Sequence, residues 1–248
     1  VDLLKLLEWD TKFFGFPVAK ILNVQARPEE LREAVSQLRS QQIPLAYWFA
    51  DKPSAETHSQ VVELGGALVD EKLTFVARLD SLPEQPSVPL SVVEPYREEM
   101  PLSDLKQLAV ESGVYSRFVV DTRFPQAAAR AMFEEWIIRS VNKAVADEVL
   151  VIRQGSSIVG MVSIATKGDR GSIGLLAVAE RCRGRQFGQA LVVAAQNWCR
   201  DRSFQEMQVV TQQANVAAQR LYFKCGFQLE RMEACYHIWS TSGIVPAR

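Results

Sequence analysis

Leu175-Leu176-Ala177-Val178-Ala179-Glu180-Arg181-Cys182-Arg183-Gly184-Arg185-Gln186-Phe187-Gly188-Gln189-Ala190-Leu191 reads as a strand that runs into a short Arg/Gly-rich turn and out into a helix. Such a turn presents successive backbone N–H groups at the positive end of a helix dipole, the ingredients of a pyrophosphate cradle. Gly184 and Gly188 let the main chain approach a ligand with no Cβ in the way. Alone, the stretch fits a basic, solvated turn equally well, so its surroundings decide.

Working outward, Met207–Thr211 reads as the next strand, about Asn215 to Lys224 as a helix, and Phe227–Trp239 as two last strands. Upstream, Val149–Arg153 and Ile158–Ala165 are strands joined by a tight hairpin at Gln154-Gly155-Ser156-Ser157. Pro125 opens a long helix with Met132, Phe133, Trp136, Ile137 and Val141 near helical spacing, and Pro101–Ala109 is a helix with Pro in its first turn. Leu90–Glu94 reads as a strand. Three prolines in Asp80–Pro89 cannot sit inside a helix or central strand and mark a linker. The order of elements is an α+β pattern with a mixed sheet. The expected organisation is residues 1–80, a linker at 81–89, a domain over 90–240 and a tail at 241–248.

Hydrophobic residues make up 48% of the 248 and charged residues 23%, which is enough apolar side chain to fold and excludes disorder as the main state. The formal charge of −1 provides no basic field, which argues against a nucleic-acid partner. No run approaches 18 apolar residues, so no membrane span is expected. The first residues lack the basic and apolar regions of a secretory signal, so a cytoplasmic protein is expected. The cysteines, Cys182, Cys199, Cys225 and Cys235, form no C-x-x-C pair, and the only histidines are His58 and His237. Reduced thiols and no metal site are expected, and a histidine-centred triad is not, although one His could act as a lone base.

Asn215-Val216-Ala217-Ala218-Gln219-Arg220-Leu221-Tyr222-Phe223-Lys224-Cys225-Gly226-Phe227 resembles the helix and turn that close the acetyl-CoA site in the GNAT N-acetyltransferase family. The loop pattern of that family is Arg-x-x-Gly-x-Gly/Ala. Arg183 and Gly188 match it, while Gln186 stands where the middle glycine would be. The resemblance covers about residues 89–240. It implies a mixed sheet flanked by helices and acetyl-CoA as co-substrate, held by Ala177, Val178, Arg183, Gly184, Arg185, Gln186, Phe187, Gly188, Gln189, Ala190 and Asn215. A patchier resemblance rests on Glu8–Gly15, Ser116-Arg117-Phe118 and Trp136-Ile137. It is to the GNAT subfamily, of the TDP-fucosamine type, that acetylates the amine of a nucleotide-linked deoxysugar.

Residues 1–80 resemble a truncated second copy of the same fold. A constant shift of 161 positions pairs Gly65 with Gly226, Leu68 with Leu229, helix-like 31–39 with 192–200, and the apolar run Leu45–Ala50 with Glu206–Thr211. Val61 stands opposite Tyr222 and Ser54 opposite Asn215, so the chemistry does not carry over. The copy is read as starting after the position of the phosphate loop. It is expected to build one wall of the acceptor site; chance similarity of an unrelated domain is the alternative.

Acetyl transfer from a thioester to an amine needs a polarised carbonyl, a neutral amine and a stabilised thiolate. A backbone N–H near Ala177 or Val178 is the expected oxyanion donor. Tyr222 is the expected thiolate partner, through a hydrogen bond that strengthens as charge develops, and a packed core aromatic is the alternative. Asn215 either contacts the cofactor or caps its helix. Arg117 and Phe118 are candidate contacts to the acceptor's diphosphate and to its sugar or base; a surface arginine and a core aromatic are the alternatives. Glu111, Asp121 and Glu94 are the candidate bases, none of them singled out. The expected partner is an amino-sugar nucleotide. Other amines (aminoglycoside, polyamine or protein N-terminus), a noncatalytic acyl-CoA sensor, and a homodimer stay open.

Overall fold

A computed structural model describes residues 3–81 and 89–240. The expected tail at 241–248 and residues 82–88 of the expected linker lie outside the described residues. The elements in chain order are β1 (Leu4–Leu6), α1 (Glu8–Phe14), β2 (Val18–Ile21), α2 (Pro28–Ser40), β3 (Leu45–Ala50), α3 (Ala55–Glu63) and β4 (Gly66–Arg78). After a 3-10 turn at Leu90–Val92 come β5 (Val93–Pro95), α4 (Leu102–Ser112), α5 (Arg117–Val120), α6 (Gln126–Val141), β6 (Glu148–Gln154), β7 (Ser157–Lys167) and β8 (Arg170–Val178). The chain then forms α7 (Phe187–Arg200), β9 (Glu206–Gln212), α8 (Val216–Lys224) and β10 (Gln228–Trp239). Two expectations change. Gln228–Trp239 is one continuous strand, because no Gly or Pro interrupts it, and most of Leu90–Glu94 is the 3-10 turn.

The chain divides into two compact units, neither continuous in sequence. Unit 1 comprises residues 1–72, 116–129 and 232–248, and unit 2 comprises 73–115 and 130–231. This differs from a single cut at 81–89. In unit 1 the strand order is β1-β2-β3-β10-β4, and in unit 2 it is β4-β9-β8-β7-β6-β5. β4 passes into unit 2 after Lys72, and β10 leaves it after Arg231.

In unit 1, Leu31, Ala34, Val35 and Leu38 recur on one face of α2 at helical spacing. They bury against Ala19, Ile21, Ala46, Trp48, Tyr236 and Ile238 from alternate positions of β2, β3 and β10. In unit 2, β7 is buried without break from Ile158 to Ile164, the pattern of a strand covered on both faces. α4 and α7 pack on β7 and β8.

The element bounds carry the repeat further than the sequence does. Shifted by 161, α3 falls on α8 end for end, β3 falls on β9, and β4 and α2 fall within two residues of β10 and α7. The caps agree: Ser54 Oγ accepts the N–H of Thr57, and Asn215 Oδ1 accepts that of Ala218. Gly65 and Gly226 close the two helices at φ +89° and +85°. The copy also starts earlier than expected. β2 runs parallel to β3 as β8 does to β9, so the segment 22–27 stands where the second copy has its phosphate loop. The last strands are exchanged: the neighbour of β3 is β10, and the neighbour of β9 is β4.

Candidate active site

The unit 2 loop has the geometry of an anion cradle. Gly184 (φ +76°) and Gln186 (φ +59°) both turn through left-handed backbone, so Gln186 supplies the conformation that the family's glycine would. Gln186 is the N-cap of α7, and Phe187, Gly188 and Gln189 follow as its first turn, whose N–H groups have no partner within the helix. The N–H of Ala190 bonds to Gln186 O at 3.0 Å, so the expected contact from Ala190 is spent inside the helix. The side chains of Arg183 and Arg185 are exposed, and Arg183 Nε donates to Val178 O at 3.2 Å, tying the loop to the end of β8. A Cβ on Gly188 would meet Leu221 Cδ2 at 3.2 Å. Gly188 therefore permits close packing of α7 on α8, where a bare approach to phosphate was expected.

Beside the loop the parallel ladder parts. β8 pairs with β9 from Gly171–Met207 to Ile173–Val209, and the register ends there. The N–H of Ala179 bonds to Val159 O at 2.9 Å, and that of Leu175 to Ser163 Oγ at 2.8 Å, both toward β7. Alternation sends the N–H of Ala177 the same way and those of Leu176 and Val178 toward the parted edge. Of the two expected oxyanion donors, Val178 is the one aimed out of the sheet, and sequence reading missed Leu176. Tyr222 is 4% exposed, with its ring between Phe75 at 6.1 Å and Phe227 at 5.8 Å. Burial pushes its phenol up, so it stays protonated and able to donate. Asn215 caps α8 through its side-chain oxygen.

The polar chemistry of unit 1 lies on the face of its sheet turned away from α2. Lys20, Tyr47 and His237 form one cross-strand row, with Phe49 opposite Cys235 in the next. Arg117, the first residue of α5, is half-buried. Its guanidinium carbon lies 4.6 Å from the Tyr47 ring, 4.3 Å from Phe118 and 5.4 Å from Phe49, and its Nε has no hydrogen-bond partner. The arginine is thus no solvated surface group. Phe118 is buried under it, among Phe14, Tyr47, Phe124 and His237, and is a platform instead of a contact of its own.

Two carboxylates share this face. Tyr47 Oη donates to Asp10 Oδ1 at 3.3 Å. Burial raises the carboxyl of Asp10, and that of Asp70 further, to about 7; the positive charge of Arg117 opposes both shifts, and Lys72 also opposes the second. Lys72 Nζ is paired with Glu233 at 3.0 Å. Asp70 was absent from the candidate bases because it lies in the copy read as lacking chemistry. Its signal is local: Asp70 and Lys72 take alternate positions of a strand whose neighbours are Val69 and Leu73.

The bases picked from sequence have other work. Asp121 Oδ2 accepts the Nδ1–H of His237 and the Nε1–H of Trp239, both at 2.8 Å, and Oδ1 faces Arg123 Nε at 3.1 Å. Burial works to raise Asp121, but these hydrogen bonds overcome it and hold the carboxylate well below its usual range. Burial brings His237 down to about 4, so it is neutral at pH 7. Glu94 binds Arg153 at 2.7 Å and Arg97 at 2.9 Å and is held low by them. Glu111 Oε1 accepts from Gln107 on α4. All four cysteines are buried free thiols. No group of three or more His, Cys, Asp or Glu among the described residues could hold a metal ion, and no helix of the described residues is long and apolar enough to cross a membrane.

The sequence pattern of the acetyltransferase (GNAT) family matches residues 115–227, which hold the loop, the parted strands and Tyr222. These residues are a GNAT acetyltransferase domain. Family members use acetyl-CoA as co-substrate. The chain is 26% identical over 226 residues to the dTDP-fucosamine acetyltransferase of Escherichia coli O6:H1, covering 90% of this chain and 92% of that one. It is 27% identical over 133 residues to the spore coat polysaccharide biosynthesis protein SpsD of Bacillus subtilis, covering 54% of this chain and 46% of that one. Its fold is similar to that of a GCN5-related N-acetyltransferase from Sphaerobacter thermophilus, with a TM-score of 0.66 at 16% identity, covering 98% of this chain and 78% of that one. The GNAT fold, a mixed sheet flanked by helices, is the one expected from sequence.

Proposed function

We propose that the chain transfers the acetyl group of acetyl-CoA directly to the amine of a nucleotide-linked amino-deoxysugar. The observation that carries the reading is the charged aromatic face of unit 1, where Asp70, raised to about 7, shares Arg117 with Asp10. A carboxyl in that range can take the proton of a sugar ammonium near neutral pH. The similarity to an enzyme named for a dTDP-linked amino sugar supports the same acceptor class.

Acetyl-CoA supplies the acetyl thioester. The N–H groups of Gly184 to Gln189 and the Arg183 and Arg185 side chains hold its pyrophosphate. The N–H groups of Leu176 and Val178 donate to its pantetheine arm and polarise the reacting carbonyl oxygen. Tyr222 donates its hydroxyl hydrogen bond to the sulfur as that atom gains charge. Asp70, on the face of unit 1, takes the proton of an acceptor ammonium bound there. Arg117 forks to the acceptor's diphosphate. The loop, the parted strands and Tyr222 of unit 2 serve acetyl-CoA, and the charged aromatic face of unit 1 serves acceptor binding.

Thiol release from acetyl-CoA across a panel of amines tests the reading. Turnover is expected with nucleotide-linked amino sugars and not with polyamines, aminoglycosides or peptide N-termini; the reverse order overturns it. Arg117→Ala is expected to raise KM for the sugar nucleotide about tenfold, while acetyl-CoA affinity holds. The burial of Tyr222 also suits a noncatalytic acyl-CoA sensor, and that reading prevails if every amine fails while acetyl-CoA binds.

A further inference from the structure

Three cations converge on one half-exposed ring in unit 1. Lys20 Nζ and Lys72 Nζ each lie 5.2 Å from the centroid of Phe49, and the guanidinium carbon of Arg117 lies 5.4 Å from it. Lys72 is neutralised by Glu233. Lys20 and Arg117 have no carboxylate within 4.0 Å among the described residues, and Arg117 also keeps a buried Nε without a partner. Like charges brought this close repel, Asp10 and Asp70 act on Arg117 from the same face without pairing to it, and burying part of the guanidinium adds a desolvation cost. An aromatic ring offsets part of that through its quadrupole but supplies no hydrogen-bond acceptor in the guanidinium plane.

We infer that Lys20 and Arg117, with Phe49 as floor, form the subsite for a pyrophosphate ester carried by the acceptor. This rests on the acceptor reading of unit 1 given above. A pyrophosphate matches the residues present: one planar fork and one compact, mobile ammonium suit two adjacent phosphoryl groups, and an exposed ring edge suits the sugar or base that flanks them. The remaining charged groups on this face fix the orientation. Asp10 and Asp70 repel phosphate and attract an ammonium, so a ligand carrying both is held with its diphosphate at Lys20 and its amine toward Asp70. Lys20 therefore determines specificity, favouring nucleotide-linked amines over free ones.

The test uses the full chain in saturating coenzyme A, so that the loop at 183–189 is already filled, and measures calorimetric binding of thymidine diphosphate and of thymidine. Wild type is expected to bind the diphosphate and not the nucleoside. Lys20→Gln is expected to weaken diphosphate binding about tenfold, Lys20→Arg to restore most of it, and both to leave acetyl-CoA affinity within threefold. KM for a nucleotide-linked amino sugar is expected to rise in parallel in Lys20→Gln. If Lys20→Gln binds the diphosphate like wild type and the sugar nucleotide is still acetylated with unchanged KM, the subsite is overturned and the acceptor reading stands. If diphosphate binding depends on Lys20 but no sugar nucleotide is acetylated, the subsite stands and the acceptor reading falls. Absence of both removes both.

Discussion

At the start of α7 the main chain turns through Gly184 and Gln186 in left-handed conformations and leaves the first-turn N–H groups of the helix pointing out. At the start of α2, the equivalent helix of the first copy, it passes through Arg27 at φ −76° into Pro28, which has no N–H to offer. Glu30 then folds back and takes the N–H of Arg27 at 2.8 Å, and Glu29 binds the Arg27 guanidinium at 3.0 Å. A carboxylate from the chain itself occupies the place of a bound anion. The strands beside the two helices differ in the same sense. β2 and β3 are paired from Val18–Leu45 to Ile21–Trp48, the whole length of β2, whereas β8 and β9 part after Ile173–Val209. In one copy the chain itself takes up the backbone donors, and in the other the first-turn donors of the helix have no partner within the helix. The first copy has placed its chemistry in side chains on the opposite face of its sheet.

The largest test of that contrast is Tyr222, whose counterpart Val61 has no hydroxyl. Tyr222→Phe keeps the ring. It is expected to lower kcat by about 10²–10³ and to leave acetyl-CoA affinity within threefold, the signature of a donor that acts in the transition state. Steady-state kinetics with separate calorimetry decide it, and wild-type turnover would return Tyr222 to packing. Next comes Asp70. Below about pH 7 its carboxyl is protonated and cannot accept a proton, so kcat/KM is expected to rise with pH through about 7 and level off above. Asp70→Asn is expected to cost about 10² and to erase that limb; a pH profile unchanged in the variant would assign the base elsewhere.

Gly188→Val is expected to weaken acetyl-CoA binding about tenfold, because its Cβ presses on Leu221 and shifts the first turn of α7. Calorimetry of the wild type is expected to give one acetyl-CoA per chain, and two per chain would break the comparison outright. The smallest effects have opposite signs. Gln186→Gly relieves a left-handed side chain and is expected to stabilise by about 0.5–1 kcal/mol. Pro28→Ala frees the unfolded chain and is expected to destabilise by about 0.4–1 kcal/mol. Urea denaturation of both variants measures the two signs.

Much of this was legible in the residues. Helical spacing at 31–39, the apolar run at 45–50 and the cap-to-glycine span 215–226 place three pairs of equivalent elements. The glycine missing at Gln186 marks where left-handed backbone would have to be borne by another residue. Strand exchange was not legible, because alternation identifies a strand and its buried face but not its neighbour. The charged aromatic face of unit 1 was hidden for a related reason. Lys20, Tyr47 and Asp70 are each unremarkable in sequence, and they meet Arg117 and His237, which stand out only singly, once the strand order of unit 1 is known. Asp121 and His237 were both noticed, but as separate candidates; the 2.8 Å bond between them turns two possible bases into one structural pair.

The exchange of final strands also sets a timetable. While the protein is being made, β3 emerges well before its partner on one side, Ala234–Trp239, which lies far downstream in the chain. Until then β3 offers a row of unsatisfied N–H and C=O groups along one edge, next to aromatic residues. A truncated product that stops before Met232 would keep that edge open permanently. Closing that edge of β3 therefore waits on β10, and the exposure of β3 to other chains lasts as long as β10 takes to arrive.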